Sequence, residues 1–169
     1  MAIKIKENEV FDAIAKKFGF VPNILRELGE TAPAVLNVYL GGQEALVKSS
    51  LNTRELNVVM LAISSANDCD YCKAAHSTLL KGTGLGQQDI DAIAEGKSLS
   101  DKRLDSLARA ARLIADMNGF LTSEDLAGLK KQGLGKTQIY EIIAVIGLKT
   151  ISNYVNHINH TPIDPQFSA

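Results

Sequence analysis

Apolar residues recur at helical spacing along almost the whole chain, and no segment shows the alternation of a half-buried strand. This pattern restricts the chain to an all-α architecture. The clearest case is Leu56, Val59, Met60 and Ile63 at i, i+3, i+4 and i+7, with Val58, Leu61 and Ala62 filling the intervening positions. A helix apolar on nearly every side belongs inside the molecule. The start and stop signals around it define eight further helices. One runs over 9–18 and ends at Gly19, and Pro22 opens a second to about 29. Thr31 and Pro33 begin a third that reaches about Lys48, with Gly41-Gly42 in its middle. Asn52 or Thr53 caps the fourth, and Asp68 is expected to cap a fifth that runs to about Lys81. Short helices follow around Ile90–Ile93, Leu104–Ile114 and Thr122–Asp125. The last runs from about Thr137 to Asn159 and stops before Pro162. Its first half, Ile139 to Ile151, is apolar on most sides and is expected to be central.

The 169 residues suit one domain, with N-terminal helices over 8–48, a core over 52–82 and C-terminal helices over 86–160. Apolar residues make up 46% and charged residues 22%, with a net charge of −1. That balance gives no case for nucleic acid or an anionic membrane surface as a partner. No apolar run approaches the ~20 residues needed to cross a bilayer. The start, Met1 to Lys6, lacks the apolar core of a signal peptide, so a cytoplasmic protein is expected. Gly84-Leu85-Gly86 before Ile90 and Ile93 is echoed by Gly133-Leu134-Gly135 before Ile139 and Ile142. The echo is either a duplicated helical pair or two ordinary glycine C-caps.

Chemistry concentrates in one run, Asn67-Asp-Cys69-Asp-Tyr-Cys72-Lys-Ala-Ala-His76. Both cysteines of the protein lie in this C-x-x-C, a spacing that permits a reversible disulfide in a first helical turn. His76 falls four residues after Cys72, on the same helical face. Two effects favour different sulfurs as the thiolate. The helix N-terminus favours Cys69, opposed by Asp70, whereas His76 could take the proton of Cys72. Zinc is a rival occupant, with Cys69, Cys72, His76 and either His157 or His160 as ligands. A polar stripe of Asn153, Asn156, His157 and His160 marks the last helix. His160 reads as a solvated helix end, and Asn153 and His157 as either that or the lining of a pocket or subunit contact.

The stretch 51–80, centred on A-I-S-S-A-N-D-C-D-Y-C-K-A-A-H, resembles the alkylhydroperoxidase D and carboxymuconolactone decarboxylase family. The tail from Leu148 to His157 with Thr161 to Pro165 is similar to its peroxidase-related branch, as is the segment 23–39. The resemblance implies a compact multi-helix domain, assembled as trimers or hexamers, with thiol peroxidase activity. In that scheme Cys72 matches the peroxide-attacking cysteine, Cys69 the resolving one and His76 the proton-relay histidine. The family's relay glutamate stands twelve residues before the first cysteine, where this chain has Asn57. The nearest acid, Glu55, is two residues earlier and turned by roughly 200° on a helix. Glu55 is expected either to be repositioned beside His76 or to be a helix-start residue, with the relay shortened to His76 and water. Decarboxylase members generally lack the cysteine pair, which argues against lactone decarboxylation. No flavin or nicotinamide motif is present, so no cofactor or catalytic metal is expected. The partners expected are a hydroperoxide, an external dithiol reductant and further copies of the chain. The alternative is a non-catalytic helical assembly protein whose dithiol senses redox state or binds metal.

Overall fold

Capping residues fix the helix boundaries. The computed structural model describes residues 7–167, and these form nine α-helices and no strand. The helices are α1 (Glu7–Phe18), α2 (Asn23–Thr31), α3 (Pro33–Leu46), α4 (Thr53–Ala66), α5 (Asp70–Gly82), α6 (Gln87–Glu95), α7 (Lys102–Asp116), α8 (Ser123–Lys131) and α9 (Lys136–Asn159), with a 3-10 turn over Pro165–Phe167. Met1 to Lys6, on which the signal-peptide expectation rests, lies outside the described residues. Asn52 and Glu55 cap α4 reciprocally, Asp101 accepts the free N–H groups of Arg103 and Leu104, and Thr122 pairs with Asp125 at the start of α8. The glycine echo is one turn geometry used twice. Gly84 and Gly133 sit at φ +80° and +79°, and the following Leu N–H returns to Leu80 O and Leu129 O at 3.3 and 3.0 Å. Gly86 and Gly135 then cap α6 and α9.

α4 is the axis of the molecule. Every residue from Glu55 to Ser64 is buried, because α5, α6, α7 and α9 surround the helix. Its all-round apolarity is thus satisfied within one chain and gives no argument for a subunit contact. α9 crosses α3 at close range, and Gly42 is the reason it can. A Cβ there would lie 2.6 Å from Leu148 Cδ2. The outer face of α9 stays open, with Tyr140, Ile143, Tyr154 and Ile158 exposed. The tail folds back over α5. Asp164 accepts the Tyr71 hydroxyl and the Asn23 N–H, and Phe167 packs edge-on against Tyr71 and Phe20. No helix among the described residues is long and apolar enough to cross a membrane.

Candidate active site

The dithiol sits at the junction of α4 and α5. Asp68 does not cap α5 as expected. It takes a left-handed conformation, φ 50°, that closes the end of α4, and aspartate is among the few residues that tolerate this. Cys69 becomes the N-cap, and Cys72 is the third residue of α5. Lys73 pairs with Asp68 at 2.9 Å and Asp70 at 2.6 Å, which draws both carboxylates towards its own ammonium. Both sulfurs are free thiols and almost wholly buried.

Each sulfur has a different electrostatic setting. Asn156 Nδ2 donates to both, at 3.3 Å to Cys72 Sγ and 3.7 Å to Cys69 Sγ. The Cys69 thiol hydrogen-bonds the Cys72 sulfur, and the Lys149 ammonium adds its charge. Together they overcome burial and bring Cys72 down to about 5. Donating that bond, together with burial, raises Cys69 above its ordinary value. Cys72 is therefore the thiolate and Cys69 stays protonated, the division of labour that a nucleophile and a resolving thiol need.

Lys149 is fully buried and was not singled out from the sequence. Its Nζ lies 2.9 Å from His76 Nε2. His76 Nδ1 lies 3.1 Å from Asn57 Oδ1, while the Asn57 amide donates to Thr53 O at 2.8 Å. With the amide nitrogen engaged, the oxygen faces the ring and accepts the Nδ1 proton. Nε2 then accepts from Lys149, so His76 is a neutral Nδ1–H tautomer. Burial, and next the Lys149 charge, hold its pKa well below the ordinary histidine value. Neither ring nitrogen is left for Cys72, so the direct Cys–His pair suggested by the i+4 spacing is not formed. A signal for Lys149 exists in the sequence. Lys149, Ser152, Asn153 and Asn156 fall at i, i+3, i+4 and i+7, a polar face on an otherwise apolar helix, and all four are buried.

The remaining candidates separate cleanly. Asn57, at the position of the family's glutamate, does reach His76. Glu55 does not. One carboxylate oxygen accepts from Arg103 Nε at 2.7 Å and the other from the Asn52 N–H at 2.9 Å. The two-residue step turns it away from α5 towards α7, so Glu55 occupies the helix-start position. Glu55→Gln keeps the Asn52 bond and loses the ion pair. We expect it to lower stability in urea unfolding by roughly 1 kcal/mol, as for a partly buried pair at a helix start. The Cys72 alkylation rate should stay the same, and a slowed rate would return Glu55 to the relay. Asn153 and Asn156 point inward, Asn153 accepting from Asn67 at 3.3 Å. His157 is exposed and stacks on Tyr154, and His160 is the exposed left-handed C-cap of α9. The zinc set is thus not brought together, and no cluster of three or more potential metal ligands occurs among the described residues.

A cavity of about 770 Å³ opens onto this chemistry. Its walls are apolar, with Ile14, Leu25, Leu40, Leu56, Met60 and Leu79 among them. Cys72, His76, Asn57 and Lys149 line it too, whereas Cys69 does not. Cys72 therefore faces the cavity, with Cys69 behind it.

An all-helical scaffold with a buried C-x-x-C, a low-pKa cavity-facing thiol and a shielded partner thiol defines a helical dithiol protein. The sequence pattern described as the carboxymuconolactone decarboxylase family matches residues 33–116. The fold is that of the alkylhydroperoxidase core. An uncharacterized peroxidase-related protein from Silicibacter sp. TM1040 is 20% identical with a TM-score of 0.83, over 99% of this chain and 90% of that one. An uncharacterized peroxidase-related protein with an alkylhydroperoxidase AhpD core, from Ralstonia eutropha JMP134, is 20% identical with a TM-score of 0.85, over 95% and 86%. The debrominase Bmp8 is 21% identical with a TM-score of 0.74, over 96% and 88%. A comparison with curated proteins found no match. The chain belongs to the carboxymuconolactone decarboxylase family, with an alkylhydroperoxidase D-like fold.

Proposed function

We propose that the protein is a thiol-dependent reductase of organic hydroperoxides. The observation that carries this reading is the asymmetry of the dithiol: Cys72 lines an apolar cavity and Cys69 does not, and the surroundings push the Cys72 thiol down and the Cys69 thiol up. The Cys72 thiolate attacks the terminal oxygen of R–O–O–H. An S–O bond forms, the O–O bond breaks, and Cys72 becomes a sulfenic acid. Cys69 then attacks that sulfur, water leaves, and the Cys69–Cys72 disulfide results. His76 stands one residue removed from the sulfur and holds Lys149 in place at the cavity wall. An external dithiol returns two electrons, which fits a reducing compartment such as the cytoplasm. A cavity this large serves an organic substituent and is superfluous for hydrogen peroxide itself.

The test is consumption of an alkyl hydroperoxide with a dithiol reductant present. Sustained turnover with the disulfide as intermediate supports the reading. A protein that forms its disulfide once and does not turn over is a redox sensor instead. In a second reading the Cys72 thiolate attacks a carbon-bound bromine: an S–Br bond forms as the C–Br bond breaks, the ring carbon takes a proton, and Cys69, losing its own proton, displaces bromide to give the Cys69–Cys72 disulfide. The apolar cavity would suit a flat halogenated ring, and Bmp8, seen with 2,3,4-tribromopyrrole, shares the fold. Bromide release from a bromopyrrole without peroxide turnover would select it. We further propose self-association through the exposed apolar face of α9. A monomeric mass by light scattering at micromolar concentration would exclude it.

A further inference from the structure

We propose that Lys149 is the catalytic acid of this site as well as the counter-ion of the Cys72 thiolate. Its ammonium is fully buried, and no carboxylate among the described residues forms an ion pair with it. A buried cation persists only beside compensating negative charge or strong acceptors. Its surroundings offer one acceptor at 2.9 Å, His76 Nε2, and the Cys72 sulfur, which lines the same cavity and whose negative charge acts on it. The ionisable groups acting on it are Tyr39 from α3, Cys72 and His76 from α5 and Cys69 at the N-cap of α5. Glu9, Lys17 and Glu44 line exposed parts of the same cavity. Burial opposes the charge on Lys149. Tyr39 and the sulfurs outweigh that opposition and leave its pKa above the ordinary lysine value.

His76 is excluded as the immediate acid. It is neutral, its single ring proton is committed to Asn57 Oδ1, and its Nε2 is an acceptor. The buried charged donor that lines the cavity together with the reacting sulfur is Lys149. His76 and Asn57 are positioning residues that aim its Nζ.

The proton count closes on this assignment. The reduced site holds a thiolate, a thiol and an ammonium. As the O–O bond breaks, Lys149 gives one proton to the leaving alkoxide, which departs as the alcohol, and the lysine becomes a neutral amine. When Cys69 attacks the sulfenic acid, the Cys69 proton passes through that amine to the departing hydroxide, which leaves as water. The disulfide state thus holds an uncharged Lys149, with no anion beside it. Reduction by an external dithiol restores both protons, one to Cys69 and one to Lys149.

The acid role rests on the peroxidase reading, and the counter-ion role does not, so the two are read separately. Site-resolved alkylation reports the counter-ion role. Lys149→Met should raise the Cys72 thiolate midpoint by at least about one pH unit, and Lys149→Arg, which keeps a charge, should hold it near wild type. An unmoved midpoint in Lys149→Met overturns the counter-ion role. Single-turnover oxidation reports the acid role, at a pH where the thiol of every variant is ionised. With cumene hydroperoxide both variants should slow about a hundredfold or more, because the alkoxide leaving group lacks a proton. With peracetic acid, whose acetate leaves without one, the loss should stay below about tenfold. Equal losses with both peroxides overturn the acid role, as does a wild type that reacts with neither. The unmutated protein gives an independent readout. The ¹⁵N shift of Lys149 Nζ should be that of an ammonium in the reduced protein and of an amine in the disulfide form at neutral pH, and an ammonium in both states overturns the proton count.

Discussion

Cys72→Ser is expected to lower dithiol-dependent hydroperoxide consumption by about a thousandfold or more, the scale on which removing a nucleophile acts. The serine hydroxyl would keep the size of the side chain and the Asn156 contact. It would not ionise, and it has no route to a sulfenic acid. Cys69→Ser should differ in kind. Cys72 still attacks the peroxide in that variant, so one equivalent is consumed quickly and a dimedone-reactive sulfenic acid then accumulates. Its steady-state rate depends on how fast the external thiol reaches a sulfur that is almost wholly buried. Cys69→Ala, which removes the donor altogether, should also raise the Cys72 thiolate midpoint above its wild-type value, whereas the serine hydroxyl can still donate. Equal steady-state rates in wild type and both variants would end the peroxidase reading.

The second large effect is on stability against pH. The folded-state pKa of Cys72 lies at about 5, below its ordinary value of 9.0. Between these values the unfolded chain holds a proton that the folded chain does not, so stability rises with pH across that window and is lost as pH falls through it. His76, whose folded pKa lies well below 6.5, acts in the same direction below that pH. The slope should be up to about 1.4 kcal/mol per pH unit from Cys72 alone between 6.5 and 9, and up to about twice that between 5 and 6.5, where both groups contribute. Above pH 9 the sign reverses, because unfolded Cys69 ionises while the folded thiol keeps its proton. The reduced protein should therefore be most stable near pH 9, measured by urea unfolding under a reductant. Cys72→Ser should flatten the upper part of the profile and His76→Gln the additional slope below 6.5. A reduced wild type with the same stability at pH 6.5 and pH 8.5 would contradict a thiolate at Cys72.

Local chemistry carried much of the fold. The capping pair Asn52 and Glu55, Thr122 with Asp125, Pro33 and the two Gly-Leu-Gly turns all act within a few residues of chain, so their outcome is written in the sequence. The prediction for Asp68 failed for a local reason as well. A residue with a good N-cap side chain also tolerates the left-handed conformation, and the end of α4 used it for that. α4 was legible as a buried helix. What surrounds it was not, because a periodicity records that a face is covered and does not record by which element.

The site divides along the same line. The C-x-x-C at the start of a helix, His76 four residues on and the departure at Asn57 are sequence facts, since each depends on spacing along one or two helices. Which tautomer His76 adopts and what holds its second nitrogen depend on α9, as does the charge that Lys149 adds to the local Cys69 hydrogen bond in lowering Cys72. That helix comes within hydrogen-bond distance of α5 although Lys149 is 73 residues from His76 and Asn156 is 84 from Cys72. Glu55 was placed by Arg103, 48 residues away on α7. By itself the sequence determined an all-helical protein with a dithiol at a helix start, because backbone propensity, capping and short-range spacing are local. Only the tertiary structure brought a buried cation and Cys72 to the wall of one cavity and left Cys69 outside it. Electrostatics in a buried site depends on which chain segments meet, and a sequence does not carry that distance.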